Sequence, residues 1–363
     1  MATRHWKVRR MGLKVGIVGA AGYAGAELVR LLSRHPEFDL VCVTSNSDKG
    51  QKVTDLYPAL LDVCDLVFES HDTENLAKCD VVFMATPHTV AMDMVPELLK
   101  RYTAVFDLSA DYRLDNVETF EKWYAPHTSP ELLEIRAFGL PELFPHDLHQ
   151  MKHVYDSGCE TLVACAGCYP TATSLAAMPA IELTEGVVVV DAISGITGAG
   201  RTPSQRTHFC SGNENFEAYG VSSHRHTPEI EQILGLEDRL VFTPHLAPAS
   251  RGLLSTVTMR LTEEAFENFS LEDIHKRYVE KYDNDHCPFV KVLPLGQQPK
   301  TSSVVGTNYA HIGLALHKPT RSLIATCAID NLLKGAAGQA LQCANIVCGF
   351  PQTLGLEATG TAI

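Results

Sequence analysis

The chain has no run of about 18 consecutive apolar residues, so a helical membrane span is excluded. Positive charge is scarce: 30 Lys+Arg face 43 Asp+Glu, a formal net charge of −13. A surface of that sign argues against nucleic-acid binding, which needs a basic footprint, yet leaves room for small anions held by local groups. A zinc framework is missing too. Cys165 and Cys168 make one Cys-x-x-Cys pair without a second, and His224-Arg225-His226 lacks the spacing of a ligand pair. No metal is expected. Internal repeats and low-complexity tracts are absent. The 11 cysteines do not form a secreted disulfide framework, and Cys42, Cys327, Cys343 and Cys348 sit in apolar runs where a thiol acts as a small hydrophobe. A reducing cytoplasm is the expected location.

What is present suits a two-domain α/β protein. With 363 residues, 45% of them hydrophobic, the chain can bury a large core without staples, and about 150 residues per domain predicts two domains. Residues 1–12 are basic (Arg4, Lys7, Arg9, Arg10) but carry no apolar segment, so they read as a disordered leader rather than a secretory signal. Strands are expected at 14–18, 40–44, 80–86 and 104–108, with helical or loop segments between them, which predicts a doubly wound parallel sheet. Beyond about residue 150 the strand-like runs 187–193, 240–243, 253–261, 289–293 and 312–316 interleave poorly with helices, so the second domain reads as α+β with a mixed sheet. An Ala/Gly/Gln-rich helix is expected over 331–348.

The first strand runs into Gly19-Ala-Ala21-Gly22-Tyr23-Ala24-Gly25 and then an amphipathic stretch that ends before Pro36. Strand, glycine loop and helix in that order form a dinucleotide site, with the pyrophosphate on the helix N-terminus. An NAD reader usually carries an acidic residue at the end of the second strand. Here the strand ends in Ser45-Asn46-Ser47 followed by Asp48, Lys49 and Lys52, with Asp48 beyond the expected position. Ser45, Ser47 and Lys49 suit a 2′-phosphate, so NADP(H) is the expected cofactor. Solvated loop residues are the competing reading of Lys49 and Lys52.

Cys168 precedes Tyr-Pro-Thr and a helical run at 173–178. A thiol at a helix N-terminus is expected to have a lowered pKa and to act as a nucleophile, the alternative being a buried structural cysteine. A reversible Cys165–Cys168 disulfide is a further expectation.

Eight ordered stretches then carry a resemblance that runs from about Leu13 to the C-terminus. They are Val15–Gly25, Ala85–His88, Asp107–Arg113, Gly167–Thr171, Ser194–Arg201, His224–Ile230, Pro244–Gly252 and Asp330–Gln339. On these the sequence resembles the N-acetyl-gamma-glutamyl-phosphate reductase family, related to aspartate-semialdehyde dehydrogenase. The resemblance implies arginine biosynthesis: NADPH-dependent reduction of an acyl phosphate through a Cys168 thioester, with a histidine as acid/base. His226 is favoured over His224 for that role. It also implies that Arg113, with Ser109, holds the departing phosphate. Arg201, Arg251 and His224 would contact the substrate, although both arginines also read as salt-bridge partners. Ser194, Gly195, Asn331 and Lys334 would border the cofactor. The last residues would return to the first domain, giving a nucleotide-binding unit of 13–165 plus 330–363 and a catalytic unit of 166–329 through which a homo-oligomer forms. One departure stands out: Cys165-Ala166 replaces the family's usual Asn-Pro. Two rivals remain, a reductase of aspartyl or carrier-linked aminoadipyl phosphate and a non-catalytic NADP-binding sensor.

Overall fold

The computed structural model describes residues 12–360, so all but the last residue of the expected leader lies outside the described residues. Six strands form the first sheet: β1 (Leu13–Val18), β2 (Phe38–Thr44), β3 (Val81–Met84), β4 (Ala104–Asp107), β5 (Ala137–Gly139) and β6 (Leu162–Cys165). Their spatial order is β2-β1-β3-β4-β6-β5 and every pairing is parallel. Strands β3, β4 and β6 are buried along their whole length, as a sheet covered on both faces requires. The strand order reverses between β1 and β3, and in such sheets ligands bind beyond the carboxyl ends of the strands at that point. Helix α1 (Tyr23–Leu32) leaves β1 through the glycine loop there.

The second sheet is mixed: β7 (Thr184–Gly195), β8 (Glu217–Ala218), β9 (Leu240–Ala247), β10 (Leu253–Leu261), β11 (Val290–Val292), β12 (Ala310–His317) and β13 (Ser322–Ile329). They lie in the order β11-β12-β13-β10-β7-β9-β8, with β7–β9 and β11–β12 parallel and the other pairs antiparallel. Strand β13 was not among the expected runs, although it pairs along its full length with β10 and β12. The short β5 and β6 were also not expected, since three or four residues carry almost no periodicity.

One face of this sheet is filled by helix α2 (Cys168–Ala177), which packs on β10 and β13 through Ala172, Leu175 and Ala176. Its last turn leaves carbonyls without helical partners. Two buried tyrosines of helix α3 (Leu271–Tyr282) meet them: Tyr278 Oη donates to Ala176 O at 2.6 Å and Tyr282 Oη to Leu175 O at 2.8 Å. Thr173 and Ser255 share a buried hydroxyl hydrogen bond of 2.8 Å. The helix that carries the cysteine is therefore fixed along its whole length.

After β13 the chain makes a π-turn, Leu333–Ala337, and then helix α4 (Gly338–Val347). Ala340, Leu341, Ala344 and Val347 join the same apolar cluster as β1, β4 and β6 of the first sheet. At the turn, the fully buried Lys334 ammonium donates to Glu142 Oε1 at 2.7 Å and to Gln342 Oε1 at 2.9 Å. Removing one partner of a buried ion pair leaves the other charge uncompensated. Lys334→Ala is expected to lower the unfolding free energy by ~3–5 kcal/mol, while Lys334→Met combined with Glu142→Leu recovers most of it. Urea unfolding curves of the three proteins measure both effects.

Candidate active site

Each glycine of the first loop answers a different demand. Gly19 has φ +82°, a left-handed turn that other residues resist, and a Cβ there would run into the Ala85 carbonyl. A Cβ at Gly25 would strike the loop backbone at Gly19 and Ala20, so only glycine lets α1 pack this closely. At Gly22, the N-cap of α1, the space is open apart from the Gly19 carbonyl at 3.4 Å. A tight turn, a close helix and an open N-terminus fit a dinucleotide pyrophosphate. Tyr57 Oη braces the loop by donating to Ala21 O at 2.7 Å.

At the end of β2, Asp48 is buried, and its Oδ2 accepts from Ser45 at 2.8 Å, from Ser47 at 2.5 Å and from Arg201 Nη2 at 2.7 Å. The Ser47 hydroxyl above all, then Ser45 and Arg201, holds this carboxyl below its usual range. Asp48 lies beyond the position expected of an acidic ribose ligand, and the structure folds it back between the two serines. Lys49 is exposed.

The cysteine lies where the two sheets meet. Helix α2 begins at Cys168 itself, five residues before the expected 173, with Gly167 as its N-cap. A methyl group on Gly167 would sit 2.6 Å from His226 Nε2 and 2.7 Å from Arg113 Nη1, so this glycine allows both groups to close over the start of the helix. On the other side, a Cβ on Gly335 would lie 2.6 Å from the Cys168 Cβ. The π-turn backbone thus runs directly against the cysteine.

Arg113 is buried and spends three of its five N–H groups on the protein. Nε donates to Cys165 O at 2.7 Å, Nη2 to Leu108 O at 2.6 Å and Nη1 to Glu229 Oε2 at 3.3 Å. One N–H on each Nη nitrogen is left for an anion. Glu229 was not singled out in the sequence, although it sits in the His-Arg-His-Thr-Pro-Glu stretch. Its Oε1 accepts from the Gly167 amide at 2.8 Å, so one buried carboxylate orients both the arginine and the cysteine's N-cap.

Burial pushes the Cys168 thiol up to about 11, against the pull of Arg113 and of the Tyr169 and Cys168 amides, which point at the sulfur. The expected lowering by the helix terminus is therefore corrected: desolvation outweighs it. Burial also drives His226 well below its ordinary value, helped by His224, Arg113 and His88, while His88 falls to about 3 and His224 to about 4. His226 stands at the start of the helix Thr227–Leu234, and its buried Nδ1 has no hydrogen-bond partner among the described residues. His224 is surrounded by the rings of Tyr169, Tyr219 and Phe242, and its Nδ1 accepts from the His226 amide at 3.1 Å. The geometry thus brings His226, rather than His224, against Gly167.

Other expected contacts fall elsewhere. Arg251 pairs with Glu27 of α1 and with Asp330 at 3.4 Å, the salt-bridge arrangement that its sequence also allowed and one that ties the two domains together. Lys334 is sealed in with Glu142, so it does not border the nicotinamide. Ser109 is buried and committed: its hydroxyl donates to Asp107 at 2.8 Å and accepts from the Asp111 amide at 3.1 Å. Asn331 accepts from the Gly252 amide at 2.9 Å and donates to Thr197 Oγ1 at 3.0 Å. It knits together the loops that follow β7 and β9. Ser194 and Gly195 end β7 at the same junction, with the Gly195 amide donating to Gly252 O at 2.8 Å. The Cys165 thiol is engaged with the Cys343 thiol of α4 rather than turned to Cys168, and every cysteine is free. Among the described residues no His/Cys/Asp/Glu cluster could hold a metal ion, and no helix is long and apolar enough to cross a membrane.

Comparison with known proteins agrees with this layout. The semialdehyde dehydrogenase NAD binding domain matches residues 14–151, and the semialdehyde dehydrogenase dimerisation domain matches residues 168–331. Aspartate semialdehyde dehydrogenase with NADP from Candida albicans superposes with a TM-score of 0.70 at 18% identity, over 94% of this chain and 99% of that one. Aspartate semialdehyde dehydrogenase II complexed with ASA from Vibrio cholerae has a TM-score of 0.68 at 13% identity, over 93% and 98%. These likenesses define the fold class, the two-domain semialdehyde dehydrogenase fold. The N-acetyl-gamma-glutamyl-phosphate reductase of Syntrophobacter fumaroxidans is 45% identical over 353 residues, 95% of this chain and 98% of that protein. The protein of that name from Pelotomaculum thermopropionicum is 44% identical over 359 residues, 96% and 99%. The chain belongs to the N-acetyl-gamma-glutamyl-phosphate reductase family.

A thiol near 11 is mostly protonated at neutral pH, and its thiolate grows as pH rises. Alkylation of Cys168 by iodoacetamide is expected to accelerate continuously from pH 7 to pH 10. A rate already level at pH 7, followed by mass mapping of the adduct, would instead reveal a preformed thiolate.

Proposed function

We propose that the chain reduces N-acetyl-L-glutamyl 5-phosphate to N-acetyl-L-glutamate 5-semialdehyde with release of phosphate, using NADP(H), as a step of arginine biosynthesis. The observation that carries this reading is the convergence of Cys168, His226 Nε2 and Arg113 Nη1 around Gly167. A non-catalytic nucleotide sensor has no use for all three.

The resting site holds an uncharged thiol and an uncharged imidazole beside a permanent cation. An acyl phosphate changes that balance. Its negative charge, on the two free N–H groups of Arg113, favours imidazolium at His226, so the thiol proton passes to Nε2 as the sulfur attacks the carbonyl. The carbon–oxygen bond to phosphate then breaks as His226 passes that proton to the departing oxygen, leaving a thioester on Cys168. When bound, the reduced nicotinamide supplies hydride to that carbonyl carbon. The Cys168 and Tyr169 amides at the start of α2 face the reacting group and stabilise charge that develops there. A proton taken up from water through His226 completes the thiohemiacetal, which collapses to the aldehyde as the hydroxyl proton passes by way of His226 to the departing sulfur. Gly167 and Glu229 keep the participants aligned throughout.

The substrate assignment rests on the family, and assay decides it. In the reverse direction, semialdehyde, phosphate and NADP⁺ should produce absorbance at the reduced-nicotinamide band, more strongly than with NAD⁺. Cys168→Ala should abolish the signal. Aspartate semialdehyde should be turned over far more slowly than the acetylglutamate compound. The opposite preference would reassign the substrate, and full activity in Cys168→Ala would end the thioester reading.

The protein is also proposed to be a homo-oligomer built through the second sheet, in a reducing cytoplasm that suits its free thiols. Opposite the face covered by α2, alternate residues of β7 and β9 are bare: Val187 is 52% exposed, Val189 37%, Ile193 38% and Val241 50%. Val189 lies beside Val241, and Ile193 beside Leu254 of β10, and exposed Asp191 stands between these two apolar patches on the same face. A second copy on a two-fold axis would bury it, and one substitution then acts twice. Ile193→Asp is expected to shift the protein toward monomer in analytical ultracentrifugation while its circular dichroism stays unchanged.

A further inference from the structure

Arg201 belongs to the loop after β7 in the second domain, yet its guanidinium ends at the tip of β2 in the first. There Nη2 donates to Asp48 Oδ2 at 2.7 Å, on the oxygen that already accepts from Ser45 and Ser47. In a doubly wound sheet this strand tip is where the adenosine ribose presents its 2′ position. Arg201 also lines a cleft of about 460 Å³ together with Tyr23 of the glycine loop and Thr197. Its side chain is 32% exposed whereas that of Asp48 is 10% exposed, so the cation is the accessible member of the pair. Two serine hydroxyls, a guanidinium and a carboxylate are thus gathered around one point.

A carboxylate there suits the 2′-hydroxyl of NAD, and it repels a phosphate. A guanidinium there suits a phosphate, with bidentate geometry available. The two groups neutralise each other across the domain boundary, with the guanidinium on the side open to the cleft. An anion entering the cleft therefore meets the arginine before it meets the carboxylate.

We propose that Arg201 is the residue that selects the 2′-phosphate of NADP(H), with Asp48 as the placeholder that the phosphate displaces. On binding, the phosphate takes the Arg201 guanidinium and the Ser45 and Ser47 hydroxyls that Asp48 holds in the free protein. The inference rests on the NADP reading above and adds an inter-domain contact to it: nucleotide carrying the phosphate ties the second domain's loop to the first domain, and nucleotide lacking it does not.

The two members of the pair then act with opposite sign, which a merely structural ion pair does not do. Isothermal titration with 2′,5′-ADP and with 5′-ADP reads this without turnover. In Arg201→Ala, 2′,5′-ADP should bind roughly ten- to a hundredfold more weakly relative to 5′-ADP, the loss of a charged hydrogen-bonded contact. Arg201→Lys should restore part of that preference. In Asp48→Asn the preference for 2′,5′-ADP should rise above that of the wild type. If both variants weaken the two ligands in parallel, or if the wild-type preference survives in Arg201→Ala, the assignment is overturned while the NADP reading stands. A wild-type protein that binds both ligands equally overturns the two together.

Discussion

The buried carboxylate of Glu229 is the constraint on which the site depends. It accepts from the Gly167 amide and from Arg113, and so couples the N-cap of the cysteine's helix to the cation that faces it. Burial pushes the Glu229 carboxyl up, and Arg113 with the Gly167 amide pulls it back. A charge kept in so dry a place needs those partners, and the partners cannot move without leaving it unpaired. The Gly167 amide and Arg113 come from the two halves of the junction, after β6 and after β4, while Glu229 comes from the second domain. Their shared hydrogen bonds fix how closely Arg113 approaches the start of α2. Gly167 itself follows from that approach, since any side chain would occupy the space of His226 and Arg113.

Electrically, the site is arranged to be quiet until an anion arrives. Three imidazoles, His88, His224 and His226, are pushed toward the uncharged form by burial and then by neighbouring cationic groups, Arg113 and Arg225 among them, and burial favours the protonated thiol. Arg113 remains as fixed positive charge, with Arg225 nearby over the Tyr124 ring. This is the reverse of a resting thiolate–imidazolium pair. On the proposed mechanism, the sulfur is activated by the charge that the acyl phosphate brings to Arg113 and His226.

What the sequence discloses depends on whether a signal is local. The glycine loop, the parallel alternation and the cysteine at a helix start are all written within ten or twenty consecutive residues, and the structure has them. The sign of the thiol shift is not local. A helix terminus lowers a pKa and burial raises it, and the burial of Cys168 is made by Gly335, 167 positions away, and by helices of both domains. Lys334 illustrates the same limit. A lysine in a glycine-rich turn beside a nucleotide motif reads as a cofactor contact, and only the fold shows Glu142 waiting inside the core. Arg201 and Arg251 share motifs of similar texture, yet one meets Asp48 and the other meets Glu27. Which carboxylate an arginine finds is decided by how the two domains abut. Glu229 was legible in one respect, as the acidic residue three positions after His226, a spacing that places both on one face of a helix start.

The two domains are joined in two different ways, and the difference bears on function. Around the cysteine the contacts are dry: the π-turn against Cys168, Gln339 donating to Ala166 O at 3.2 Å and to Thr171 at 3.0 Å, and Lys334 with Glu142. Gln339 matters here because Ala166 stands where the family usually has proline, so the turn before the nucleophile is held by a hydrogen bond in place of a ring. Around the nucleotide loop the contacts are ion pairs between part-exposed arginines and largely buried carboxylates, Arg201 with Asp48 and Arg251 with Glu27. A dry junction of packed backbone is stiff, whereas a part-exposed guanidinium can be reached by a second anion. On the proposed function, the chemistry sits on the stiff side and the nucleotide's charge meets the open one. A protein that must hold one thioester in register, yet admit and release a charged dinucleotide each turnover, is served by that division.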